Sequence, residues 1–95
     1  MSIKVRIGTQ DVKIKFVPLE DGEFGDFEAF PEPVIRVNLG VPIEAQRMTL
    51  LHELLHAISD LYGLDLRESQ VRTIEQGLGQ VMTEPHIWKY LGGVS

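Results

Sequence analysis

The sequence contains no cysteine, and this absence limits both its covalent chemistry and its metal chemistry. Disulfide bonds and thiolate-bound zinc are excluded, so any bound metal must be held by His, Asp or Glu side chains. The chain also lacks an apolar run of about 18 residues, the length that a membrane-spanning helix needs. Its opening residues, MSIKVRIG, lack the long apolar centre of a signal peptide. We therefore expect a cytoplasmic protein that makes no membrane contact.

Positive charge is scarce in this sequence. There are 9 Lys and Arg residues against 14 Asp and Glu residues, which gives a formal net charge of −5. Because nucleic acids and anionic membranes are bound through cationic surfaces, neither is an expected partner. The length of 95 residues and the hydrophobic fraction of 43% indicate a single globular domain over residues 1–95 with one modest core.

The first part of the chain carries the period-2 pattern of half-buried strands. Residues 3–7 (IKVRI) and residues 12–16 (VKIKF) alternate apolar with charged side chains, and the short GTQD segment between them predicts a β-hairpin. Residues 34–39 (VIRVNL) predict a third strand. Residues 18–33 contain three prolines, two glycines and six acids, so we expect a loop there.

Three phenylalanines recur at every third position of that loop, as Phe24, Phe27 and Phe30. We expect their rings to anchor the loop to the core, because burying an aromatic side chain is strongly favourable. The alternative is that these rings line a substrate-binding site.

The second part of the chain has helical periodicity. From about residue 42 to residue 62 the apolar side chains recur at helical spacing, Pro42 suits the first turn, and Gly63 is a plausible C-terminal cap. A second helix is predicted from about residue 66 to residue 82, and a short third helix within residues 83–91. Strands followed by helices predict an α+β domain, with a small antiparallel sheet of about three strands packed on the first two helices and a short C-terminal helix.

The first predicted helix contains an H-E-x-x-H motif, formed by His52, Glu53 and His56 within TLLHELLHAISD. Residues four apart lie on one face of a helix, so the two imidazoles can reach one metal ion. Glu53 lies about 100° around the helix axis from His52, which leaves it free to act as a general base toward a metal-activated water. The alternative is a metal-free histidine pair, although such polar groups on a largely apolar helix are costly unless a partner satisfies them.

A third ligand must come from outside the motif, because two histidines alone make a weak zinc site. The only other histidine is His86, and the acids Glu68 and Glu75 lie on the second predicted helix. Since these two acids are seven residues apart, both can face the first helix, and the spacing leaves them as alternatives. The side chains that could donate a hydrogen bond to an oxyanion are Tyr62, His86 and Tyr90.

The segment HELLHAISD resembles the active-site helix of the gluzincin metallopeptidases, and residues 34–91 resemble small metallopeptidase-like proteins of bacteriophages and bacteria related to the ImmA/IrrE group. This resemblance implies a zincin-like domain in which the two motif histidines bind zinc and the motif glutamate is the general base. In these proteins a glutamate heads an E-x-x-V/A-x-x-I/F helix, a pattern that ESQVRTI matches with Glu68 in first position. The resemblance therefore implies Glu68 as the third zinc ligand, with Glu75 as the alternative.

The resemblance also implies a substrate-binding strand. In the gluzincin clan the strand before the motif helix is an edge strand that pairs with an extended substrate, and here that strand would be residues Val34, Ile35, Arg36, Val37, Asn38 and Leu39. The implied function is that of a phage or bacterial metallopeptidase that binds one Zn²⁺ per chain and cleaves a protein or peptide, in the host cytoplasm if it is phage-encoded. The alternative is a zinc-bound scaffold, catalytically weak or inactive, that acts as a protein-binding module.

Overall fold

Two antiparallel strands form the hairpin predicted at the start of the chain, where β1 (Ser2–Ile7) pairs with β2 (Gln10–Val17). The computed structural model describes residues 1–92 and confirms the α+β architecture. The elements that follow are β3 (Gly25–Glu28), β4 (Val34–Asn38), α1 (Ile43–Leu61), α2 (Glu68–Met82) and α3 (Pro85–Tyr90). Helix α1 packs against the sheet, α2 against α1, and α3 against α2. Within residues 1–92, no helix has the length and apolar character needed to cross a bilayer.

The sheet differs from the prediction in strand number and in strand direction. It has four strands in the order β1-β2-β4-β3, and β2 runs parallel to β4. The additional strand, β3, lies within residues 18–33, where we predict only a loop. This strand is four residues long and is held by antiparallel pairing with β4, in which Phe27 lies opposite Ile35. Tertiary pairing therefore decides the conformation here, and local composition does not.

Residues 34–39 do not form the edge strand that the metallopeptidase resemblance implies. Strand β4 lies between β2 and β3, so its backbone pairs on both sides. Leu39 follows the strand and donates its backbone N–H to the carbonyl of Val17. The free edge on this side of the sheet belongs to β3. The assignment as a substrate-pairing edge is therefore wrong for all six residues, Val34, Ile35, Arg36, Val37, Asn38 and Leu39.

The core lies between the sheet and α1. Ile14 and Ile35 of the central strands are at most 2% exposed and pack with Ala57 of α1, which is fully buried. Complete burial of a side chain of this size contributes about 1.5–3 kcal/mol. Helix α1 starts after Pro42 and is followed by Gly63 in the left-handed conformation, with φ of 69°, as predicted. The helix that carries the motif is therefore fixed on the sheet along one face.

The turn between α1 and α2 is held by a buried serine. The hydroxyl of Ser59 donates to the carbonyl of Leu64 at 3.2 Å and accepts the backbone N–H of Leu66 at 3.0 Å. In α2, Val71 is fully buried. Together these contacts bring Glu68 and Glu75 of α2 alongside the motif on α1.

The three phenylalanines of residues 18–33 have different environments. Phe27 belongs to β3 and packs against the core, which confirms its predicted anchoring role. Phe24 and Phe30 are 55% and 85% exposed, so the anchoring prediction is wrong for both. The backbone around Phe24 is held by pairing, because its carbonyl accepts the N–H of Asn38.

Candidate metal centre

The two motif histidines face each other across one turn of α1. Their Nε2 atoms are 3.2 Å apart, and the ring planes meet at 70°. The side chain of His52 is 19% exposed and that of His56 is 28% exposed, so both rings are partly buried. The i, i+4 spacing therefore produces the predicted convergence of the two imidazoles.

Glu68, the first residue of α2, closes the cluster from the neighbouring helix. One carboxylate oxygen lies 2.9 Å from Nε2 of His52, and the other lies 3.0 Å from Nε2 of His56. The three residues thus offer two ring nitrogens and a carboxylate oxygen within 4.8 Å of one another. This group could hold a metal ion. The Glu68 side chain is 51% exposed, so the cluster is open to solvent on that side.

The spacing of these atoms suits a single ion. Three ligand atoms at about 2.0–2.2 Å from one tetrahedral metal ion lie roughly 3.3 Å from each other. In the cluster the two Nε2 atoms are 3.2 Å apart, and they lie 2.9 and 3.0 Å from two different oxygens of Glu68. One carboxylate oxygen and the two ring nitrogens lie within 4.8 Å of one another, which is close enough for the side chains to adjust around one ion.

Glu75 lies on the other side of the His52 ring. Its Oε1 is 2.6 Å from Nδ1 of His52, whereas Glu68 contacts Nε2 of the same ring. Seven residues along a helix correspond to a rise of about 10 Å, so the two acids reach different atoms of one imidazole. The structure therefore does not support the alternative of Glu75 as the third ligand. It places Glu75 where a carboxylate orients a metal-binding histidine through its second ring nitrogen.

The contact with Glu75 fixes the tautomer of a neutral His52. An ionised carboxylate only accepts hydrogen bonds, so Nδ1 of His52 carries the proton and Nε2 carries a lone pair. That lone pair faces an oxygen of Glu68 at 2.9 Å. Two acceptors this close repel each other unless a proton or a cation lies between them. A metal ion would satisfy both acceptors, and protonation of the imidazole is the metal-free alternative.

Arg72 supports the carboxylate of Glu68 from the next turn of α2, at 3.4 Å. Desolvation raises the pKa of Glu68, but the two motif histidines and Arg72 together lower it below its ordinary value. The carboxylate therefore stays ionised, as a metal ligand must. Arg72 is not among the site residues predicted from the sequence, although its i, i+4 spacing from Glu68 on a predicted helix indicates such a contact.

Glu53 is not part of the three-residue group, but it lines the two cavities beside that group. Burial raises the pKa of Glu53 above its ordinary value, and the two motif histidines oppose that rise. A carboxylate whose pKa is raised is a stronger base than usual, which is the direction that a general base requires. The position and the environment of Glu53 therefore fit the general-base role expected from the motif.

The two cavities on either side of Glu53 differ in character. The larger, of about 610 Å³, has an apolar side formed by Phe24 and Met48. The smaller, of about 520 Å³, is acidic, and no Lys or Arg of the described chain lines it. None of the three predicted oxyanion donors lines either cavity. The acidic residues that line the smaller cavity are Asp26, Glu53, Asp60, Asp65 and Glu68.

Strand β3 passes directly beside the motif because it begins with a glycine. A Cβ atom at Gly25 would lie 2.4 Å from the carbonyl oxygen of Arg36 and 2.7 Å from Cγ2 of Thr49 on α1, both too close for a real contact. The next residue, Asp26, accepts two hydrogen bonds from the Arg36 guanidinium, and this pairing raises the pKa of Arg36. Because this strand is not predicted from the sequence, the residues that border the site on the sheet side are not predicted either.

Comparison of the chain with protein-family models, curated proteins and solved structures finds no match. The convergence of His52, His56 and Glu68 is therefore the observation on which an assignment of function depends. The group is chemically suited to a divalent ion, since it offers two imidazoles and a carboxylate.

Proposed function

We propose that this chain is a zinc-dependent metallopeptidase that binds one Zn²⁺ and hydrolyses a peptide bond in a protein or peptide substrate. The observation that carries the proposal is the meeting of three donor groups from two helices, with Glu53 beside them. His52 and His56 come from α1, and Glu68 comes from α2. Neighbouring side chains support this group, because Glu75 contacts His52 and Arg72 contacts Glu68.

Zinc is the ion that this donor set favours. Two imidazoles and one carboxylate, without thiolates, are a known ligand set of catalytic zinc sites, which leave a fourth position open. Bound zinc would supply a Lewis acid that activates water and polarises a carbonyl group. The cluster opens to solvent at Glu68, which leaves room for a further ligand.

Glu53 is the residue that would move protons in this reaction. It lies next to the three ligands in two flanking cavities, and its raised pKa favours the uptake of a proton. In peptide hydrolysis it would take the proton of the attacking water and return it to the leaving amine. Substitution by glutamine keeps the size of the side chain and removes this capacity.

Strand β3 is the surface that we propose for substrate pairing, in place of residues 34–39. No strand within residues 1–92 pairs with its outer edge, and residues 25–27 line the smaller cavity together with the motif. An extended peptide could add to this edge through backbone hydrogen bonds, which would place it beside Glu53. This mode of binding depends little on the side chains of the substrate.

A zinc-bound scaffold without catalysis is the second candidate, and two observations favour it. The Glu68 side chain is half exposed, so the cluster lies at the surface, whereas catalytic centres work best where water is excluded. The free edge of β3 is also only four residues long. A protein that uses the ion to present a binding surface would have the same ligands.

Two measurements on three proteins test the proposal. The wild type, Glu53→Gln and His56→Ala would be purified without added metal, analysed for bound elements, and incubated with peptides from a digested bacterial lysate. We expect about one zinc per chain in the wild type and in Glu53→Gln, new peptide termini with the wild type only, and no zinc in His56→Ala. Zinc without cleavage in the wild type would favour the scaffold, and absence of zinc even after its addition would exclude both candidates.

A further inference from the structure

The sheet face opposite α1 concentrates the positive charge of the chain. The register of the strands places five cationic side chains on this face, whereas Ile14, Ile35 and their neighbours fill the face under α1. These are five of the nine Lys and Arg residues, on a protein with a net charge of −5. The five residues are Lys4, Arg6, Lys13, Lys15 and Arg36.

Two of these cations have acidic partners within the sheet, and three do not. Arg6 forms an ion pair with Asp11 at 3.3 Å, and Arg36 pairs with Asp26. In residues 1–92, no ion pair within 4.0 Å includes any of the lysines that we call the lysine face, Lys4, Lys13 and Lys15.

The arrangement of these lysines is unfavourable in the isolated protein. Lys4 lies directly opposite Lys13 in the antiparallel pairing of β1 with β2, and like charges in this position destabilise a sheet. The residue opposite Lys13 on β4 is the apolar Val34, and Lys15 follows two positions along β2 on the same face. The sheet thus holds three like charges close together, and none of them forms an ion pair within residues 1–92.

A shallow cavity of about 390 Å³ lies on this face. Lys4 and Lys13 form part of its lining, and Pro31 and Pro33 form a wall beside them. Asp11 and Glu32 also line the cavity. Lys4 and Lys13 therefore border a concave surface of mixed charge.

We propose that the lysine face docks an acidic segment of a partner protein. Charge complementarity with Lys4, Lys13 and Lys15 supplies the attraction. The nearby acids Asp11 and Glu28 disfavour a nucleic acid, whose phosphates are evenly spaced and continuous. They disfavour less a peptide whose carboxylates can lie away from those acids. The face lies across the sheet from the metal centre, so the proposal does not depend on the proposed function.

Fluorescence anisotropy with a labelled peptide in which ten glutamates alternate with glycines tests this inference, with an oligothymidylate of equal charge as the comparison probe. We expect the peptide to bind at an ionic strength of about 0.01 M and to dissociate at about 0.15 M, since screening shortens the Debye length from about 30 Å to about 8 Å. The double variant Lys4→Gln/Lys13→Gln should bind about tenfold more weakly. The matched control Arg47→Gln/Lys89→Gln removes the same charge from the helices and should bind like the wild type.

Three results would overturn the proposal. One is the absence of peptide binding at low ionic strength. Another is equal weakening by the two double variants, which would show that only net charge matters. The third is tighter binding of the oligothymidylate than of the peptide. Circular dichroism of each variant confirms folding, and the single variants Lys4→Gln and Lys13→Gln should each show part of the loss.

Discussion

The candidate metal centre and the lysine face are both clusters of polar side chains, but only in the candidate centre do neighbouring side chains contact the cluster closely. At the centre, two imidazoles and the Glu68 carboxylate converge, and Glu75 and Arg72 hold them in place. On the lysine face the cations stand without acidic partners among the described residues. The candidate centre therefore has supporting contacts, from Glu75 above all, whereas no acid within residues 1–92 forms an ion pair with the lysine face.

This difference sets the size of the effects expected in each region. The side chains of His52 and Glu75 are 19% and 18% exposed, so the loss of a partner there leaves a partly buried polar group unsatisfied. The lysines lie at a solvated surface, where charge interactions are small and screened. Substitutions at the centre should thus change binding by orders of magnitude, and substitutions on the face should change stability by fractions of a kcal/mol.

The largest effect is expected from the loss of one of the three proposed zinc ligands. His56→Ala and Glu68→Ala each remove one of three donors, so zinc affinity should fall by more than about a hundredfold, beyond the loss typical of a supporting residue. Competition with a fluorescent zinc chelator measures the affinity. His86→Ala is the matched control, because His86 lies outside the cluster on α3. An equal loss in His86→Ala, or no loss in Glu68→Ala, would contradict the assignment.

The helix α1 and the β1–β2 hairpin follow from the local sequence pattern. The i, i+4 spacing of the motif, the periodicity of α1 and the left-handed Gly63 at its end were all readable from the sequence. The hairpin was equally readable, because residues 3–7 and 12–16 alternate strictly between apolar and charged side chains. In these segments local preference and tertiary environment agree.

The position of β3 could not be read in the same way. Its residues belong to a segment rich in proline, glycine and acids, and they form a strand only because β4 offers a pairing edge and Gly25 fits against Thr49. Local sequence pattern also could not decide between Glu68 and Glu75 as the third ligand. Both acids face α1, and the turn held by Ser59 decides which of them reaches the Nε2 atoms. The placement of β3 and of α2 depends on contacts between residues that are distant in the sequence.

A smaller effect at the centre should come from Glu75. Glu75→Ala removes the group that accepts the Nδ1 proton of His52, so the ring loses its fixed tautomer and orientation. Zinc affinity should fall about 10–100-fold, less than for Glu68→Ala, in the same chelator competition. Glu75→Gln keeps an acceptor oxygen and should lie between the wild type and Glu75→Ala. If Glu75→Ala lost more affinity than Glu68→Ala, the roles of the two acids would be reversed.

Ionisation of the Glu53 carboxyl group should lower the free energy of unfolding. Because burial raises its pKa in the folded protein, the wild type loses stability as the pH rises from below the ordinary carboxyl pKa through the raised one. Glu53→Gln carries no such cost. In the presence of a chelator it should be more stable than the wild type at pH 7, and the difference should vanish toward pH 4. Thermal unfolding at a series of pH values measures this, and a difference independent of pH would contradict the cause.

The smallest effect belongs to the lysine face. Lys4→Gln removes one of two opposed like charges on β1 and β2, so the free energy of unfolding should rise by about 0.2–1 kcal/mol. Arg6→Gln is the matched control on the same strand and face, and it should not stabilise the protein, because Arg6 already has Asp11 as a partner. Urea unfolding at low ionic strength measures both variants, and added salt should reduce the gain of Lys4→Gln. If Lys4→Gln were neutral or destabilising at low salt, the lysines would not repel each other. The lysine face would then have no uncompensated positive charge for an acidic partner to neutralise.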